Sequence, residues 1–113
     1  MPNQAPDLDR AFASLADPTR RAIVERLTEG PASVKELASP FAMSLPSVMQ
    51  HLGVLEASGL VSSAKQGRVR TCRVEPEAIR AVESWAAARR AAWERRLDRL
   101  GDVLAENDTK ETR

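Results

Sequence analysis

A chain of 113 residues with 42% hydrophobic and 29% charged side chains has material for one compact domain, which excludes a large multidomain enzyme and a disordered chain. The net charge is only +1, yet Pro18 to Glu75 carries eight Lys or Arg against five Glu, so a polyanion should meet the middle of the chain. A single cysteine, Cys72, and a single histidine, His51, exclude an intramolecular disulfide scaffold and argue against a structural metal.

Residues 1–6 include Pro2 and Pro6 and offer little to bury, so they read as a flexible arm ahead of a domain spanning 7–105. From Asp7 on, Leu8, Phe12 and Leu15 recur at helical spacing and predict a short amphipathic helix that stops at Ala16. Asp17-Pro18 is a helix start, because the carboxylate accepts free first-turn amides and proline lacks one. The second helix should run through Ala22, Ile23 and Leu27 to Gly30-Pro31. Ser33-Val34-Lys35-Glu36 fits a capping box and opens a short helix ending before Pro40. Phe41-Ala42-Met43 then forms a turn, and Ser44 caps a helix that tolerates Pro46 in its first turn. Val48, Leu52 and Leu55 of that helix face the core, Gly59 ends it, and the opposite face carries Ser44, Ser47, Gln50, His51 and Val54.

Leu60 to Lys65 and Arg68 to Val74 read as two strands joined by a tight turn at Gln66-Gly67. Pro76 opens a long helical pattern to Ala105, with Ile79, Val82, Ala86, Trp93, Leu97, Leu100 and Leu104, followed by a flexible tail over 106–113. Its apolar stripe exceeds what a small domain covers alone, which calls for a partner helix. Arg89, Arg90, Arg95, Arg96 and Arg99 alternate with Glu94, Asp98 and Asp102 and read as a salt-bridged solvent face.

This order gives a mainly α fold with a small β-hairpin: a winged helix-turn-helix. The helix beginning at Ser44 would enter the major groove of double-stranded DNA. Gln50 could pair with adenine, and Ser47 with either base type. His51 alone makes a poor metal site and suits a phosphate contact or a local structural bond. The plainer alternative for Ser44, Ser47, Gln50 and His51 is a capped solvent face. The hairpin would be the wing, with Arg68 and Arg70 flanking its tip and Lys65 and Arg73 adding phosphate contacts.

The stretch from Leu15 to Pro76 resembles the ArsR/SmtB family of bacterial transcriptional repressors in LADPTRRAIVERL, in the S-x-P-x-V-x-x-HL-x-VLE-x-x-GLV run and in the GR-V-R wing. The segment WAAARRAAWERRLDRL is similar to a subgroup without a metal box. The resemblance implies a homodimer built from the first and last helices, the latter over about 76–105, that binds an inverted-repeat operator and often represses its own operon. Candidate interface residues are Leu8, Phe12, Leu15, Trp85, Trp93, Leu97, Leu100 and Leu104. Two departures stand out. Metal-sensing members carry a cysteine pair where this chain has SVKELAS, or Asp, His and Glu ligands on a C-terminal helix that here lacks His, so no metal cofactor is expected. Met49-Gln50 stands where members often have Ser-Lys, which changes the base-reading set.

Two other functions fit the residues in part. A protein-interaction module could keep the fold and dock a partner through the long helix, although it has no need of a basic wing. A thiol-switched repressor could use Cys72, whose thiolate Arg70 or Arg73 would favour; otherwise Cys72 is a small apolar residue on the inner face of the wing. Trp85 and Trp93 could line a ligand pocket rather than an interface. No phosphate-cradling glycine loop, G-x-S-x-G or His/Asp/Cys constellation is present, so an enzyme is not expected. No apolar run approaches a membrane span, and the N-terminus lacks the basic-then-apolar order of a secretory signal, which makes the cytoplasm the expected compartment.

Overall fold

Local capping chemistry sets most of the helix starts. In the computed structural model, which describes residues 7–111, α1 spans Leu8–Leu15 and is capped by Asp7, whose carboxylate accepts from the Arg10 amide. The expected arm over 1–6 lies outside the described residues. α2 spans Pro18–Leu27, with the Asp17 carboxylate accepting from the Thr19 and Arg20 amides at 2.8 and 3.1 Å. α3 spans Val34–Ala38, and its capping box is complete: the Glu36 amide donates to Ser33 Oγ, and the Ser33 amide donates to Glu36 Oε1, each at 3.1 Å. α4 spans Leu45–Ala57 with Ser44 as its cap, and the chain leaves it through Gly59 at a φ of +82°.

The hairpin consists of β2, Val61–Gln66, and β3, Val69–Val74. Its turn is Gly67-Arg68, one residue later than the sequence suggests. Gly67 takes a φ of +63° while none of the described non-glycine residues has a positive φ, the pattern of a two-residue turn with glycine in its first central position. A Gln66-Gly67 turn would have put that conformation on a residue with a Cβ. A further strand, β1 at Ala32–Ser33, pairs antiparallel with the other edge of β3, so the sheet has the order β1-β3-β2. Two residues show no alternation to read, and Ser33 serves both as strand and as helix cap, which hid β1 in the sequence.

The chain divides into two units, one ending at Val82 and one beginning at Glu83. The core of the first unit is built from Ile23, Val24 and Leu27 of α2, Leu37 of α3, Val48, Leu52 and Leu55 of α4, and Leu60, Val61 and Cys72 around the wing. Ala11 and Ala78 also belong to it, with Leu15, Ile79 and Val82 packed against it. The Glu75 amide donates to the Leu60 carbonyl at 2.8 Å and closes the base of the hairpin. The last helix, α5, spans Pro76–Glu111 and so continues beyond the Ala105 end expected from the stripe. In the second unit Trp93, Leu97, Leu100, Val103 and Leu104 are all exposed, and an Arg90–Glu94 pair at 3.7 Å lies on the charged face. The Arg89 guanidinium stacks 4.8 Å from the Trp85 ring centroid.

Candidate nucleic-acid interface

Everything at this site lies within the first unit. α4 turns Val48, Leu52 and Leu55 inward, so its N-terminal turn and outer face are left to solvent. Ser44 Oγ accepts from the Ser47 amide at 3.3 Å and donates to Ser47 Oγ at 3.1 Å, so both hydroxyls take part in the cap. The second lone pair of each hydroxyl oxygen leaves acceptor capacity for an outside donor. Gln50 is exposed and His51 half-buried.

The setting of His51 comes from Arg20, which in the sequence alone registers only as a charge. The Arg20 guanidinium donates through Nε to the Ser14 carbonyl at 2.7 Å and through Nη2 to the Ala13 carbonyl at 3.3 Å. Its Nη1 lies 3.4 Å from His51 Nδ1. Arg20 therefore ties the last carbonyls of α1 to the outward flank of α4. A guanidinium only donates, so this contact requires Nδ1 to be the unprotonated ring nitrogen and leaves the proton on Nε2, as a donor. Asp17 beside them is held below the usual carboxylate range, first by the Arg20 amide and then by the Thr19 amide and the Arg20 charge, against the cost of its own desolvation.

The register of the wing sorts its cations. Lys65 pairs across the ladder with Arg70, Ser63 with Cys72 and Val61 with Val74, which puts these residues on the face that carries the buried Cys72. Arg73 pairs with Ser62 on the opposite face, and its Nε lies 4.0 Å from Glu75. Arg70 Nη1 donates to Ser63 Oγ at 2.9 Å, and Ser63 in turn donates to the Glu56 carboxylate of α4. This relay fastens the wing to α4.

Lys65, Arg68 and Arg70 converge with Lys35 of α3 around a cleft of about 460 Å³, whose apolar wall includes Leu45, Met49 and Val69. The structure thus brings Lys65, Arg68 and Arg70 together beside the start of α4, and sets Arg73 apart from them. Lys35, Leu45 and Met49 were missed as site residues. The available signal was that Leu45 and Met49 are an apolar i, i+4 pair outside the core stripe.

Cys72 fits the plainer reading, a small apolar residue on the inner face of the wing, and goes against the thiol-switch alternative. It is fully buried, and burial pushes its thiol above the ordinary range, with the Glu56 charge adding to the effect and Arg70 opposing it. The nearby arginine does not win. Among the interface candidates on α1, Phe12 is exposed, Leu8 is half-buried, and Leu15 packs against the core of its own unit. Trp85, Trp93, Leu97, Leu100 and Leu104 are exposed on α5. Among the described residues, no group of three His, Cys, Asp or Glu is arranged to hold a metal ion, and no helix is long and apolar enough to cross a membrane.

Comparison with known proteins follows the same lines. Residues 15–64 match the helix-turn-helix domain family. The chain is similar to the HTH-type transcriptional regulator Rv2034 of Mycobacterium tuberculosis, at 46% identity over 76 residues, 67% of this chain and 71% of the relative. It is similar to the transcriptional repressor SdpR of Bacillus subtilis, at 31% identity over 61 residues, 54% of this chain and 68% of the relative. A crystal structure of an ArsR family transcriptional regulator superposes with a TM-score of 0.73 at 55% identity, over 77% of this chain and 90% of that one.

Proposed function

The chain belongs to the ArsR/SmtB family of winged helix-turn-helix transcriptional regulators, and from that premise we propose that it is a homodimeric repressor acting on an inverted-repeat operator, its own promoter included. The observation that carries this reading is the cationic cleft between α4 and the wing, where Lys35, Lys65, Arg68 and Arg70 flank an α4 whose N-terminal turn is open to solvent. A helix start of this kind fits the major groove, and guanidinium forks beside it suit the adjoining phosphates. Ser47 and Gln50 then read base edges, and His51 Nε2–H donates to backbone or base. Arg73, on the other face of the wing, plays the smaller part.

The signal that releases this repressor is not a metal held in the family's known positions, because SVKELAS supplies no thiolate and α5 supplies no imidazole. The exposed stripe on α5 supports the dimer, since an apolar row of that length is stabilised when a second copy covers it.

The test is fluorescence anisotropy of the purified protein on its own upstream DNA and on a shuffled control, each across a salt series. Tight, salt-sensitive binding that prefers the upstream fragment is expected. Arg68→Ala should weaken binding to every sequence and reduce the salt slope by about 2, one phosphate contact in each half-site of the dimer, whereas Gln50→Ala should change preference at one base position per half-site by ~1–3 kcal/mol. Weak binding that ignores salt on both fragments would overturn the reading and favour an interaction module. Equal loss at all base positions in Gln50→Ala would remove Gln50 from base reading.

A further inference from the structure

Two side chains on α4 stand where neither the core nor a phosphate accounts for them. Leu45 and Met49 are 48% and 51% exposed, and both line the cleft beside the wing. Four residues apart, they stack on one flank of the helix, next to the Val48, Leu52 and Leu55 stripe that enters the core. A single exposed aliphatic residue needs no explanation, but an adjacent pair at a charged cleft does. Their neighbours Lys35, Lys65 and Arg68 take part in no ion pair among the described residues, so the cationic side of the cleft is open to an outside anion. A thioether and an isobutyl group offer a phosphate nothing. The edge of a base pair in the major groove, however, carries one apolar group, the 5-methyl of thymine.

We propose that Met49, with Leu45 beside it, reads thymine through that methyl group. The inference rests on α4 being the helix that enters the groove. Cytosine at the same position would leave a void against Met49, and a purine would press its N7 and O6 or N6 atoms, stripped of water, against carbon and sulfur. The flexible, polarisable thioether suits contact with a single methyl. Lys65, Arg68 and Arg70 on the same flank grip adjoining phosphates and hold the apolar pair against the base edges. Gln50, about 100° round the helix from Met49, makes an independent contact. At 1.5 Å rise per residue Leu45 lies about 6 Å along the axis from Met49, which corresponds to roughly two base-pair steps. Each half-site should therefore carry two thymine preferences at about that separation.

The experiment selects duplexes from a randomised library with the full-length wild-type protein, then replaces each thymine of the selected site singly by deoxyuridine, which removes only the methyl. The same series is run with Met49→Ala and Leu45→Ala, whose folding is checked by thermal unfolding. Uracil at either of the two thymine positions of a half-site should weaken wild-type binding about fourfold per half-site, the equivalent of ~0.8 kcal/mol for one methyl-sized group. Met49→Ala should no longer distinguish thymine from uracil at one of these positions, and Leu45→Ala at the other. A uracil series with no effect anywhere overturns the inference and leaves DNA reading intact, and it needs no variant to fold. So does a methyl effect kept in full by both variants. Failure of the wild type to select any sequence overturns the DNA reading and this inference together.

Discussion

Arg20 shows how much one side chain can organise. Its guanidinium takes up two carbonyls at the end of α1 and sets the tautomer of His51 on α4, so the orientation of a candidate DNA donor depends on a residue 31 positions away in the chain. Cys72 shows the opposite case, a reactive atom type made inert by place. Sealed on the inner face of the wing with its thiol pKa raised, it should resist iodoacetamide in the native protein and react at the rate of a free thiol in denaturant. Treatment with the thiol-specific oxidant diamide should leave DNA affinity unchanged. Rapid native-state labelling, or a change in affinity after oxidation, would restore the thiol switch.

At the scale of elements, caps decide where helices begin, and one of them gives stability a pH signature. Asp17 caps α2 through the Arg20 and Thr19 amides, and its folded-state pKa is lowered, chiefly by the Arg20 amide. A depressed carboxylate pKa contributes stability that is fully present above the unfolded value of about 3.9 and is lost as pH falls through the folded value. Wild type should therefore exceed Asp17→Asn in unfolding stability at neutral pH, with the gap closing only below about pH 4. Denaturant melts of both proteins across an acid series would show it, and a gap independent of pH would refute the electrostatic account. The wing depends on a different kind of constraint: Gly67 supplies the positive φ at its tip, and the Glu56–Ser63–Arg70 relay fixes its lean towards α4.

For the whole molecule, the decisive quantity is the oligomeric state. Trp93, at 57% exposure, leads a row with Leu97, Leu100 and Leu104 spaced as in a helix-pairing seam, and Val103 widens it. Light scattering at micromolar concentration should give a dimer, and Leu97→Glu combined with Leu100→Glu should give a monomer. Because two half-sites about one helical turn, 34–36 Å, apart are gripped together, the monomer should lose most of its preference for the operator while keeping weak, salt-dependent binding. A wild-type monomer, or an operator preference unaffected by the double substitution, would sink the dimer reading.

Helix starts at Asp17, Ser33 and Ser44, the inward stripe of α4 and the heptad-like row on α5 were legible in the sequence, because capping and periodicity depend on residues within a few positions of each other. The family resemblance was legible for the same reason. Only the tertiary structure decided the rest: that β1 borders the wing, that Arg20 reaches His51, that Lys65, Arg68 and Arg70 share a cleft with Lys35 and Met49 while Arg73 faces away, and that Cys72 is sealed. Those outcomes depend on strand register and on packing between residues distant in the chain. A shift of one position in a strand sends a side chain to the other face without leaving any mark on composition or local pattern.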